Sequence, residues 1–197
     1  MIRKSRAVEL MQSNMPLPAV QKLLGHLSPG QTATYVSFSE EDIRHLTKRF
    51  MERESGRKTS ARNSFFGKIR KIRKGSIQAE ITLTTIEGLV VTTVITNESL
   101  ERLGLKAGAL VTAEVKAPWV VLQKSTAPPA CTAENRFKGS ILKINQGKIT
   151  TEYIVRVSAQ TEVCALTVTD PEDKTGFQQG DAVWVLFNCF SVVLHID

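Results

Sequence analysis

Cysteine is scarce in this chain. Cys131, Cys164 and Cys189 are its only three, and no two stand in C-x-x-C spacing. An odd count without metal spacing argues against a disulfide framework and for reduced, structural thiols in a cytosol. Histidine is equally sparse: His26, His45 and His195 are scattered, so no metal cation site is expected. No apolar run reaches the eighteen or so residues of a membrane span. The start, "MIRKSRAVEL", is basic but carries no apolar stretch of the kind a signal peptide needs. Aromatic residues make up only 6% of the chain, which speaks against a surface that stacks nucleobases. These absences point to a cytoplasmic protein without metal cation or organic cofactor.

What is present is an ordinary core and an uneven charge. The hydrophobic fraction is 42% over 197 residues, enough for one large or two small domains. The net charge of +7 divides into +4 for residues 1–58, +5 for 59–124 and −2 for 125–197. The basic excess of the first two thirds suits an anionic partner: nucleic acid, phosphate or a small oxyanion. A solvated basic surface would look the same.

A repeat organises the rest. Gly67, Gly75, Gly104 and Gly108 recur as Gly139, Gly147, Gly176 and Gly180, each 72 residues on. The same offset carries Asn63 to Asn135, Glu80 to Glu152, and Val120-Val121-Leu122 to Val192-Val193-Leu194. Residues 60–124 and 132–197 are therefore two copies of one unit, joined by a linker at 125–131 that holds Pro128 and Pro129. In the first copy "FFGKIRKI", "SIQAEITLTT", "LVVTTVIT", "LVTAEV" and "WVVLQ" are β-rich and broken by glycines. "NESLERLGL" reads as a short helix, capped by Thr96 or Asn97, with Leu100 and Leu103 inward and Gly104 as its stop. Five strands and one helix predict a small OB-like barrel, twice over. Cores of that size are marginal, so dimerisation is expected to add burial.

Polar residues stand at the edges of these strands. Ser60 and Arg62 precede the first, Thr96 and Ser99 flank the helix start, and Lys116 follows the fourth, with Pro118 fixing the backbone beside it. Hydroxyls, free amides and one or two fixed cations, with no carboxylate among them, suit a tetrahedral dianion. They are equally compatible with helix caps and an exposed strand lysine.

At these residues a resemblance becomes specific. "TSARNSFFG", "ITNESLERLGLKAG" and "VKAPWVVL" resemble, in order and spacing, the molybdate-binding molbindin or TOBE units, in particular the tandem pair of ModE-type regulators. The resemblance covers about residues 59–197. It implies two tandem five-stranded OB-like TOBE barrels. It also implies a molybdate or tungstate ion held at a homodimer interface, by Ser60, Arg62 and Lys116 with the amides of Arg62 and Ala117 from one chain. Ala61 belongs to the same loop, and Thr96 and Ser99 would reach in from the partner. In the second copy Arg62 becomes Glu134, Lys116 becomes Asn188, Thr96 becomes Val168 and Ser99 becomes Pro171. A carboxylate repels a dianion, so the second unit reads as a structural partner.

Residues 1–54 differ in kind, and 55–59 link them to the barrels. "RAVELMQSN", "LPAVQKLLGH" and "SEEDIRHLTKRFMERE" carry helical periodicity. "LLGHLSPGQTATYVSF" resembles the C-terminal end of tyrosine recombinases (phage integrases). The resemblance would make Arg3, His26 and Tyr35 remnants of that active site. The family's first arginine, its lysine and its preceding histidine have no counterpart, and a phosphoryl-transfer site depends on several cations around the developing charge. The expectation is therefore a fragment that touches DNA without cutting it. The chain as a whole reads as mainly β with an α-helical N-terminal segment. It is expected to be an oxyanion sensor, regulator or store and not an enzyme. A DNA-integrating recombinase and an OB-like oligonucleotide binder are the alternatives.

Overall fold

The computed structural model describes residues 59–169 and 175–196. The helices expected within 1–54, and with them Arg3, His26 and Tyr35, lie outside the described residues.

The described chain folds into two curled five-stranded sheets. The first copy supplies β1 (Asn63–Lys74), β2 (Gln78–Thr85), β3 (Val90–Thr96), the helix α1 (Asn97–Arg102), β4 (Leu110–Val115) and β5 (Val121–Gln123). The second supplies β6 (Asn135–Gln146), β7 (Thr150–Arg156), β8 (Glu162–Val168), β9 (Ala182–Phe187) and β10 (Val193–His195). Strand alternation places Phe65, Ile69, Ile81, Leu83 and Val91 inward, as the period-two pattern requires. Both long strands bulge at the same point of the repeat, between Ile69 and Lys71 and between Ile141 and Lys143. The bulges bend β1 and β6 so that each sheet curls around its own core. Gly67 sits just before the first bulge, where a Cβ would lie 2.6 Å from the Thr84 carbonyl oxygen. Gly139 is its counterpart, with the same 2.6 Å clearance to the Arg156 oxygen. No side chain fits at either place.

The helix forms as the sequence indicates. Thr96 caps it, Leu100 is buried, and Gly104 leaves it in the left-handed region at φ 59°. The fifth strand differs from expectation. "WVVLQ" does not run as one strand: Ala117–Trp119 make a 3-10 turn, and pairing starts only at Val121.

The larger difference is connectivity. Sheet order is β10-β4-β1-β2-β3 and β5-β9-β6-β7-β8. Each copy gives its last strand to the other. Val121–Gln123 pair with Trp184–Leu186 of β9, and Val193–His195 pair with Thr112–Glu114 of β4. The boundaries at 60–124 and 132–197 describe the repeat in sequence, while the sheets cross them.

Exchange fuses the halves around one core. Phe65, Phe137 and Phe187 stack at centroid separations of 5.7–5.8 Å. Two buried asparagines then clamp the joint symmetrically. Asn63 donates Nδ2 to the Cys164 carbonyl (2.8 Å) and accepts the Cys164 amide (2.7 Å). Asn135 does the same with Thr92, at 2.9 and 2.7 Å. Both amide side chains are 1% exposed. A primary amide can satisfy an N–H and a C=O at once, which explains why this residue type occupies both positions.

Candidate functional site

The strand β4 ends by delivering Glu114, Val115 and Lys116 to one edge of the first sheet. Lys116 is extended (φ −72°, ψ 141°), and Pro118 then favours the tight turn that returns the chain, closed by the Trp119 amide on the Lys116 carbonyl at 3.0 Å. Lys116 and Trp119 are left exposed while Ala117 is buried. Beside them runs the segment Thr59, Ser60 and Ala61, which leads into β1. Together these residues wall one side of a cavity of about 620 Å³. The other side comes from the second copy: Asn188, Phe190 and Ser191 around its own 3-10 turn, and Val193 and His195 on the exchanged β10.

Of the residues expected to hold an oxyanion, the structure brings Ser60, Ala61 and Lys116 into this cavity. Ala117 lies buried directly behind Lys116. Arg62 is turned away, pairing Nη2 with Glu152 Oε1 at 2.5 Å. That carboxyl is held below its ordinary range by Asn145, which donates to it at 2.8 Å, and by the charge of Arg62. Thr96 and Ser99 do not line the cavity. The Thr96 hydroxyl accepts the Ser99 amide at 3.1 Å and lies 3.0 Å from the Ser99 hydroxyl.

Sequence reasoning missed Glu114 and His195. Glu114 is 2% exposed, accepts from Thr59 Oγ1 at 3.0 Å, and sits 3.0 Å from His195 Nε2. A carboxylate therefore belongs to the cavity lining beside the residues expected to hold an oxyanion. Glu114 stood two residues before Lys116 in plain view, but its orientation and its histidine partner depend on the strand exchange. The second copy is thus more than a structural partner, because it completes the wall of the first copy's cavity.

The second copy also shows what its own 3-10 turn does with an anion. Glu134, at the Arg62 position, accepts the Cys189 amide on Oε2 at 2.9 Å, and Cys189 is the counterpart of Ala117. Burial works against this carboxylate, but the Cys189 amide and its own amide outweigh it and hold the carboxyl below its usual range. Asn188 accepts the Phe190 amide at 2.9 Å. Among the described residues, no carboxylate is found on the Ala117 amide of the first copy.

None of the three cysteines is bonded to another. Burial first, then the neighbouring Glu152 charge, pushes the Cys164 thiol up to about 11. Burial and the bond to Glu134 do the same for Cys189. Both shifts disfavour the reactive thiolate at neutral pH. Among the described residues no group of His, Cys, Asp and Glu could hold a metal ion, and no helix is long and apolar enough to cross a membrane.

Residues 59–122 match the family model of the TOBE domain. The chain is 32% identical over 137 residues to the transcriptional regulator ModE of Yersinia pestis, covering 69% of this chain and 52% of that protein. It is 29% identical over 176 residues to the molybdenum-pterin-binding protein MopA of Rhodobacter capsulatus, covering 89% and 62%. It therefore spans between half and two thirds of the length of these relatives. Among solved structures, the cytoplasmic molybdate-binding protein ModG, with molybdate bound, superposes with a TM-score of 0.68 at 28% identity. The match covers 72% of this chain and all of that one. The chain thus matches the TOBE domain model over residues 59–122 and is similar to the ModE and Mop proteins over the stretches given.

Proposed function

We propose that this chain binds molybdate or tungstate in the cavity between its two copies and serves as an oxyanion-responsive regulator or store. One observation carries the reading. A single lysine, a hydroxyl and a loop entering β1 converge on a cavity, in a fold that superposes on a molybdate-bound protein. Lys116 supplies a charge-assisted donor to the dianion, and Ser60 a neutral one. The Ala117 amide stands where its counterpart already grips the Glu134 carboxylate, so the backbone geometry there is suited to an anionic oxygen. Thr96 and Ser99 lie outside this cavity and would complete a site only from a second copy. Arg62 would have to exchange Glu152 for the ion.

Binding is the activity assigned, with no reaction. Titration calorimetry with molybdate, tungstate, sulfate and phosphate tests it. The first two should bind and the others should not. Absence of heat, or equal binding of sulfate, would overturn the reading. The likeness to a transcriptional regulator supports a DNA contact through the basic residues 1–58. Such binding would rest on phosphates and weaken steeply with salt, which a gel shift across salt concentrations would reveal.

A further inference from the structure

The two copies also differ along their longest strands. Residues 70–74 of β1 read Arg-Lys-Ile-Arg-Lys, and the same positions of β6, residues 142–146, read Leu-Lys-Ile-Asn-Gln. Four cations stand against one. Both stretches build the same structure. Each begins at a bulge, pairs on one side with the next strand, and outruns the strand on its other side. β4 pairs with β1 only up to Lys68, and β9 with β6 only up to Ser140. An open edge of this kind invites pairing with another chain, and a lysine blunts it. The second copy does so with Lys143 alone. The fold therefore does not require the other three cations, and like charges crowded on one strand repel.

We propose that this basic edge of the first copy is a docking surface for the phosphate backbone of duplex DNA, held without regard to base sequence. The inference goes beyond the reading above, in which DNA is met through residues 1–58, and it does not depend on the oxyanion site.

The surroundings fit that occupant. Arg73 is paired with Glu80 at 2.6 Å and Lys74 with Glu101 at 3.6 Å. Arg70 and Lys71 are exposed, and none of the ion pairs among the described residues takes up either. The Lys74 pair draws α1 to the edge, where Arg102 is exposed on its last turn. The loop that follows lies against the bulge, with the Gly108 amide on the Ile69 carbonyl at 2.8 Å, and carries the exposed Lys106. From Arg70 to Lys74 the strand extends over about 13 Å, the rise of about four base pairs. No aromatic residue stands among these positions, so the edge offers neither a stacking platform nor a membrane-interface anchor. Ile77 at the hairpin tip is 77% exposed, but so is Ile149 in the copy that lacks the cations, so the apolar tip belongs to the repeat. What the first copy adds is charge. Residues 1–58, at net +4, supply no excess of acid to match it.

The experiment is fluorescence anisotropy of a labelled DNA duplex with the full chain, titrated at several salt concentrations. The wild type should bind, with log affinity falling linearly with log salt. The double variant Arg70→Gln/Lys71→Gln removes two phosphate contacts, so it should bind about tenfold or more weakly, with a salt slope smaller by about two. Its urea midpoint should match that of the wild type, since both side chains are exposed. Lys143→Gln, at the Lys71 position of the second copy, should bind as the wild type does. Unchanged affinity and slope in the double variant would overturn the inference and confine any DNA contact to residues 1–58. Equal loss in Lys143→Gln, anionic phospholipid vesicles bound in place of DNA, or no DNA bound even at low salt would overturn it as well. Molybdate calorimetry tests the oxyanion reading separately.

Discussion

The two halves of this molecule have nearly the same backbone and opposite charge at the same place. In the first, the residue before the β1 asparagine is Arg62 and the residue before the 3-10 turn is Lys116. In the second they are Glu134 and Asn188. The second half supplies its own anion to its turn, with Glu134 on the Cys189 amide. The first half supplies a cation there, and among the described residues no carboxylate sits on the corresponding turn. A repeat can therefore preserve architecture while reversing what a site is built to hold.

The largest expected effects test the shared architecture. Asn63→Ala leaves the buried Cys164 N–H and C=O without partners, which should cost about 2–4 kcal/mol of stability. Asn135→Ala should cost less, because Thr92 is half-buried whereas Cys164 is buried. Urea unfolding measures both. A neutral Asn135→Ala would mean that the symmetry of the joint is formal and one clamp suffices.

The next effect tests the asymmetry. Lys116→Ala removes a charge-assisted contact and should weaken molybdate binding about ten- to a hundredfold. Asn188→Ala, in the wall opposite, should change it by less than about threefold, since its side-chain oxygen is committed to the Phe190 amide. Equal losses measured by calorimetry would break the comparison.

Arg62 gives a smaller effect. Its pair with Glu152 is exposed on the arginine side, so Arg62→Ala should cost at most about 1 kcal/mol of stability. If Arg62 leaves Glu152 for the bound ion, Glu152→Gln should tighten binding a few-fold by loosening its hold. An unchanged affinity would keep Arg62 out of the site. The lowered Glu152 carboxyl also gives a pH signature. Its stabilising contribution is present above the ordinary carboxylate range and is lost as pH falls below that range through the lowered folded-state value.

The smallest effect is optical. Trp119 lines the cavity at 61% exposure, whereas Trp184 donates its indole N–H to the Ser125 carbonyl at 3.2 Å. Molybdate should alter the emission of Trp119, which the Trp184→Phe background isolates. No change at saturation would place the ion away from the turn.

Much of this was open to reading in the chain itself. The gapless offset of 72 marked two copies, because the bulge-adjacent positions have no room for a side chain and the left-handed ones favour glycine. The β-rich stretches broken by glycines gave β1 to β4, and Thr96, Leu100 and Gly104 gave the helix. Ser60 and Lys116 stood out as polar residues at strand ends, but only the resemblance to molbindin units gave them, with Ala61, an oxyanion role. Local pattern determined these features, since turns, caps and pleats act over a few residues.

The exchange of β5 and β10 was decided only in three dimensions. "VLQ" and "VLH" read as strands but carry no mark of whose sheet they join, because pairing energy depends on the neighbour that the folded chain presents. From that one choice follow the clamps of Asn63 and Asn135, the pairing of Arg62 with Glu152, and a cavity walled by both copies. His195 stands 81 residues from Glu114 in sequence and 3.0 Å from it in space. Contacts of that range are fixed by packing of the shared core around Phe65, Phe137 and Phe187, and no local signal announces them.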